Sequence, residues 1–244
     1  MVWAIASGIE GNLAAYEAVL ADIKKQQVDE FFILGDVVGP TSDSEAVVDR
    51  IRNPKPGELI SAVCQGWWEE QCLILHALGR TGHPTQMIKT YGNIMVKTLW
   101  DSVSRDTVAW IQELDFGLVE LDCLLIHGSP MGVDDELNPE TSPIDLLDRL
   151  MRTDVNLLFC GRSGLAFEAA IESGSLESTV QTLDRSFDPE VTTLMQKKVI
   201  GVGNVGRSPG KATYTLYSPG SNEVRFRVIN YDVKNGVKKG FGKR

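Results

Sequence analysis

Two stretches of the chain end an apolar run in a metal-competent side chain and then turn on glycine. They are Leu34-Gly35-Asp36-Val37-Val38-Gly39 and Leu125-Ile126-His127-Gly128-Ser129-Pro130. Carboxylates and imidazoles are the donors that divalent ions take at hydrolytic centres, and both can also carry protons. An apolar strand that stops at such a residue delivers it to the carboxyl edge of a sheet, where α/β proteins place their sites. Taken singly, Asp36 also suits a turn, and His127 also suits a core position bonded to a carbonyl or carboxylate. Glu10 has an alternative of its own, because an acidic side chain near a helix start favours the helix dipole.

Other spacings weigh less. Cys72 and His76 lie four apart in an apolar helical stretch. Two donors do not make a metal site, so packing is the expectation. Gly201-Val202-Gly203-Asn204-Val205-Gly206 satisfies G-x-G-x-x-G after a strand. Arg207-Ser208-Pro209-Gly210 follows it instead of a helix, so a tight turn is expected and not a dinucleotide loop. The Trp67-Trp68 pair suits the packing of a helical segment on a core better than the stacking of a ligand ring. His83 is given no role.

The elements that must position these residues alternate through the first half. Strands are expected at Val2 to Ser7, Glu30 to Gly35 and Leu59 to Cys64. Between them, Asn12 caps a helix whose apolar face is Leu13, Tyr16, Val19, Leu20 and Ile23, and Asp43 to Arg52 forms another. Residues 67–116 show no convincing strand but helical patterns around Glu70–Leu78 and Thr107–Leu114, which predicts a helical, tryptophan-containing insert. Alternation resumes with strands at Cys123–Ile126 and Asn156–Cys160, flanking a helix started by Ser142-Pro143 with Ile144, Leu147, Leu150 and Met151 inward. The end is strand-rich, at Val199–Val202, Ala212–Tyr217 and Glu223–Tyr231, with alternation at Val224, Phe226 and Val228. Mixed sheets packed face to face with helices outside are the architecture this order predicts, in a single domain over 1–244.

The chain has 244 residues, 43% of them apolar, enough for a sizeable core. A net charge of −9 argues against a nucleic-acid or membrane-surface partner. The local basic run, Lys234, Lys238, Lys239, Lys243 and Arg244, reads as a frayed terminus. Cys64, Cys123 and Cys160 sit in or beside apolar runs and, with Cys72, show no C-x-x-C spacing, the pattern of buried reduced thiols. No leader or membrane-length apolar segment is evident, so a soluble cytoplasmic protein is expected.

Five strand ends are then comparable: Ser7-Gly8-Ile9-Glu10-Gly11-Asn12, Gly35-Asp36-Val37-Val38-Gly39, Gly66-Trp67-Trp68-Glu69, His127-Gly128 and Cys160-Gly161-Arg162-Ser163-Gly164. In order and spacing they resemble the calcineurin-like metallophosphoesterases, in particular the small single-domain bacterial branch, whose signatures run D-x-H-G-N, G-D-x-x-G, G-N-H-D/E, H-G and G-H-x-H. The resemblance covers nearly the whole chain, with Asn204-Val205-Gly206 at the family's late glycine-rich turn. It implies an α/β fold, the four-layer αββα sandwich of two mixed β-sheets flanked by helices. It also implies two divalent metals about 3.5–4 Å apart clamping water and phosphate. The first metal's ligand positions fall on Gly8, Glu10, Asp36 and Gly164, and the second's on Asp36, Trp67, His127 and Arg162. Trp68 stands where the family's leaving-group histidine would be.

Most of these residues carry no donor, and Arg162 is permanently cationic. No cofactor is therefore expected, or at most one weakly bound manganese, iron or zinc ion on Glu10, Asp36 and His127. Arg162 is expected to bridge Asp36 and Glu10 in place of metal charge, or to hold a phosphate or carboxylate. The leading functional expectation is a degenerate phosphoesterase homologue acting in binding or regulation, with a small anionic or phosphorylated ligand held by Arg162, Asn12 and nearby amides. The alternatives are a weak phosphomonoester or phosphodiester hydrolase using that single metal, and a structural protein whose tryptophan-rich insert makes a homo-oligomer interface.

Overall fold

The structure is a computed structural model, and it describes residues 1–41, 43–79, 83–171, 174–178, 190–194 and 196–233. The basic tail from Lys234 lies outside the described residues. The elements run β1 (Trp3–Ala6), α1 (Leu13–Ile23), β2 (Glu30–Leu34), α2 (Ser44–Arg52), β3 (Ser61–Cys64), α3 (Trp67–Leu75), α4 (Thr85–Asp101) and α5 (Arg105–Gln112). They continue β4 (Gly117–Glu120), β5 (Cys123–Ile126), α6 (Pro143–Met151), β6 (Leu157–Cys160) and β7 (Ala166–Ile171). The last are β8 (Gly174–Ser178), β9 (Glu190–Leu194), β10 (Lys197–Val202), β11 (Lys211–Ser218) and β12 (Glu223–Asn230).

Two five-stranded mixed sheets result, ordered β12-β11-β1-β2-β3 and β4-β5-β6-β10-β7, with β8 and β9 paired separately. In the first, β1, β2 and β3 are parallel; in the second, β5, β6 and β10 are. Trp3, Ile5, Phe32, Leu34, Leu125, Phe159, Ile200 and Val202 fill the space between the sheets. Helices α1 to α5 close the outer face of the first sheet through Tyr16, Val19, Val47, Trp67, Met95 and Ile111. Leu146 and Leu150 of α6 close the outer face of the second over Leu124, Leu158 and Val199. The layers are thus helix, sheet, sheet, helix.

Local rules account for the helix starts. A side-chain oxygen just before the first turn takes one of its unpaired N–H groups, and proline suits the first helical position. Asn12 Oδ1 accepts from Ala15 N at 3.1 Å. Ser142 Oγ accepts from Asp145 N at 3.2 Å, with Pro143 beginning α6. Segment 67–116 is helical throughout its described elements, as expected, although α4 was not foreseen.

Some expectations are corrected. The buried stripe of α6 is Leu146 and Leu150, while Ile144 is 80% exposed and Met151 53%. Val224, Phe226 and Val228 pair with Tyr217, Thr215 and Thr213, which confirms their common face. Phe226 and Val228 are nevertheless exposed, because β12 is an edge strand. Strands β4 and β7 to β9 carried no sequence signal. The cysteines are all buried and free, and His76 stacks on Trp100 with ring centres 4.1 Å apart, so Cys72 and His76 both take part in packing.

Candidate functional site

The parallel strands of both sheets end on one side of the molecule. The segments that follow β1, β2, β3, β5, β6 and β10 bring Glu10, Asp36, Glu69 (in the first turn of α3), His127, Arg162 and Arg207 into one cleft. Asp36 is fully buried there and has a left-handed backbone at φ +52°, as does Glu10 at φ +50°. Non-glycine residues held in that region cluster at sites where the surroundings over-determine them. What over-determines Asp36 is Glu69. Its Oε2 accepts from Asp36 N at 2.7 Å and Gly66 N at 2.9 Å, and its Oε1 from Val37 N at 2.8 Å and Val38 N at 2.9 Å. One buried carboxylate thereby fixes the turn after β2 and the start of α3 together.

Asp36 Oδ1 accepts from Trp68 N at 2.9 Å. Its Oδ2 faces two nitrogen-bearing side chains. Arg207 Nη2 donates to it at 2.9 Å, and His127 Nε2 stands 3.3 Å away at an angle that makes no hydrogen bond. His127 Nδ1 lies 2.7 Å from the Leu34 carbonyl. A carbonyl only accepts, so that nitrogen is the N–H donor. Burial works to raise the Asp36 carboxyl, but its interactions with His127, Arg207 and Arg162 outweigh it and hold the group well below its ordinary value. Burial also dominates at Glu10, whose carboxyl is raised despite Arg207. Burial and the charge of Asp36 push Glu69 up to about 7.

The bridging guanidinium belongs to Arg207, which corrects the expectation for Arg162. Arg207 Nε donates to Glu10 Oε1 at 2.6 Å, Nη2 to Asp36, and Nη1 to the Arg162 carbonyl at 2.9 Å. The space it fills is left by two glycines with left-handed backbone. A Cβ on Gly8 (φ +65°) would lie 3.3 Å from Arg207 Nε, and one on Gly164 (φ +68°) 2.7 Å from Nη1. Arg207 follows the Asn204-Val205-Gly206 turn, and Asn204 Oδ1 accepts its backbone N–H at 3.2 Å. Its position just past a strand-end glycine turn was the one signal that could have singled it out.

Arg162 is placed at the end of β6 by its own N–H, which donates to His127 O at 2.7 Å. Its guanidinium lies with Cζ 4.8 Å above the Trp67 ring. Its Nε is buried without an acceptor, and it makes no ion pair among the described residues. Asn12 is near the cleft but committed: Nδ2 donates to Tyr231 Oη at 2.8 Å and to Gly206 O at 3.2 Å, while Oδ1 caps α1. Trp67 and Trp68 are buried edge to face, 4.6 Å apart, and both pack on Tyr91 of α4, the packing use expected of such a pair.

Among the described residues no three His, Cys, Asp or Glu side chains are placed to share a metal. Of the positions implied by the resemblance, Gly8, Gly164, Trp67 and Arg162 offer no side-chain donor to a cation. Glu10 and Asp36 already hold a guanidinium.

Solved structures agree on the architecture. A metallophosphoesterase from Sphaerobacter thermophilus superposes with a TM-score of 0.64 at 21% identity, over 95% of this chain and 90% of that one. A hypothetical protein from Pyrococcus horikoshii OT3 gives 0.68 at 20% identity, over 95% and 88%. The chain has the metallophosphoesterase fold. No family model matches the sequence, and no curated protein does. Within that fold, the strand ends compared in the sequence are the ones that line the cleft. Among the described residues no helix is long and apolar enough to cross a membrane.

Proposed function

We propose that this chain uses the metallophosphoesterase fold to bind a small anionic, phosphorylated ligand, and not to hydrolyse phosphoesters at a dinuclear metal centre. The observation that carries this reading is Arg162. It is a guanidinium without a carboxylate partner among the described residues, its Cζ 4.8 Å over the Trp67 ring and its Nε unsatisfied, at the strand edge that holds the cleft. Arg207 differs because two carboxylates already neutralise it. A guanidinium presents its N–H edge in the plane that a phosphate or carboxylate accepts from in bidentate fashion. Hydrogen bonds to such a charged group contribute about 1.5–3 kcal/mol each, which places a single-arginine site in the weak, reversible range.

Calorimetric titration with inorganic phosphate and with phenyl phosphate tests the reading. Both bind the wild type, and Arg162→Ala loses about tenfold or more in affinity, equivalent to about 1.4 kcal/mol. Manganese-dependent hydrolysis of generic phosphomonoesters or diesters, abolished by Asp36→Ala and by His127→Ala, would sink it.

One observation favours a second reading, a weak phosphoesterase with a single divalent ion on Glu10, Asp36 and His127. His127 is held by Nδ1–H on a backbone carbonyl while its Nε2 has no hydrogen bond, the orientation a ligating histidine takes. The same hydrolysis assay and the metal content of the purified protein separate the two.

A further inference from the structure

We infer that the Arg207 side chain is a tethered cation that takes the place of a divalent ion between Glu10 and Asp36 and keeps such ions out. Gly8, Glu10, Asp36 and Gly164 are the positions at which the resemblance would put the ligands of one metal. The Arg207 side chain lies against all of them. It pairs with Glu10 at 2.6 Å and Asp36 at 2.9 Å, and it occupies the room beside Gly8 and Gly164 in which any side chain would come within 3.3 and 2.7 Å of it. A side chain at Gly164 would therefore displace the arginine head, and one at Gly8 would crowd it. The third arm of the fork, Nη1, donates to the Arg162 carbonyl. The guanidinium is thus fixed on three sides and cannot swing out without leaving two acidic groups unpaired beside each other.

The electrostatics point the same way. A buried acidic pair needs a counter-charge to stay ionised. A metal supplies it reversibly, and its affinity falls as competing protons or cations rise. A guanidinium on the same chain supplies it permanently, because arginine does not lose its proton in proteins. A dication entering this space would meet a fixed positive charge at contact distance, in surroundings that screen poorly. The inference rests only on the metal-free half of the function proposed above, and anion binding at Arg162 is not required for it.

Manganese titration of the wild type, Arg207→Gln and Arg207→Lys by calorimetry is the test, with metal content measured after desalting. Arg207→Gln is expected to bind one Mn2+ per chain at least 100-fold tighter than the wild type, and Asp36→Asn in that background to abolish the gain. Arg207→Lys keeps the charge and is expected to stay within a few-fold of the wild type. Where Arg207→Gln is unfolded alone, Arg207→Met replaces it. The readout is then a manganese-dependent rise in melting temperature that the wild type lacks. Equal behaviour of the wild type and both neutral variants, all binding or none, overturns the inference. Tight binding by the wild type does so too, and selects the single-metal reading. Phosphate titration of the same wild-type sample reads Arg162 separately, so either result stands without the other.

Discussion

Arg207 and Asp36, 171 positions apart in the chain, meet at 2.9 Å in the cleft, with the Asp36 side chain fully buried and that of Arg207 24% exposed. Removing one partner of a buried ion pair leaves an uncompensated charge, at a cost of about 3–5 kcal/mol. Arg207→Met and Asp36→Asn are each expected to destabilise in that range. The double variant is expected to lose less than the sum, with a coupling of about 1–3 kcal/mol. Urea denaturation of the four proteins in the cycle measures it. Strict additivity would show that the contact does not hold the site.

Gly164 makes a prediction of the same kind. Its backbone sits at φ +68°, and a methyl group there would press to 2.7 Å on Arg207 Nη1. The left-handed backbone alone strains an alanine by about 1–3 kcal/mol whatever its surroundings. Gly164→Ala should therefore cost more in the wild type than in Arg207→Met, where the arginine head is gone. Gly8→Ala, with a gap of 3.3 Å, should show a smaller difference between the two backgrounds. Chemical denaturation of the single and double variants reads both. An equal cost in either background would mean that strain alone, and not the arginine, makes these positions glycine.

The contrast between Arg162 and Arg207 shows where the sequence stops being legible. Strand ends at Asp36, His127 and Arg162 could be found because an apolar run halts there, a local pattern. Which guanidinium reaches Glu10 depends on how the loop after β10 docks across 197 residues of chain, and no local pattern encodes that. Helix α6 fails differently. Its apolar residues form two overlapping stripes, Ile144-Leu147-Met151 and Leu146-Leu150, and only the position of the second sheet chooses between them. On β12 the alternation gives the face correctly, but the extent of the facing sheet decides whether Phe226 is covered. Glu69 was visible only as part of the Gly66-Trp67-Trp68-Glu69 strand end, and its hold on the Asp36 turn needs the fold to be seen.

Glu69 is expected to be the costliest single site to alter. Glu69→Ala would leave the N–H groups of Asp36, Val37, Val38 and Gly66 buried without an acceptor. Each such group costs about 1–3 kcal/mol where water cannot enter. A loss of about 4 kcal/mol or more is expected from urea denaturation, together with disorder of the left-handed turn at Asp36. Glu69→Gln keeps one acceptor oxygen and turns an NH2 group toward two donors, so about half of that loss is expected. A loss below about 1 kcal/mol for Glu69→Ala would show that the turn is held by something else.

Asp36 and Glu69 pull the stability in opposite directions as pH changes. The Asp36 carboxyl is depressed in the folded chain below its ordinary 3.8, so its contribution is present above that value and is lost as pH falls below it. The Glu69 carboxyl is raised from 4.5 to about 7, so between those values the folded chain binds more protons than the unfolded one. Stability then declines as pH rises across that window and levels off above it. Glu10, also raised, adds to the decline. The two acids together place the optimum on the acid side of neutrality, near the lower end of the Glu69 window. Urea midpoints at about pH 4.5, 5.5, 7 and 8 are expected to fall by the equivalent of about 1–3 kcal/mol between the first and third and then flatten. In Glu69→Gln, which carries no proton to lose, most of that slope should vanish even though the variant is less stable at every pH. A wild-type midpoint that rises between the first and third of those pH values would place the Glu69 carboxylate below its ordinary value. Its four N–H donors would then outweigh burial and the charge of Asp36.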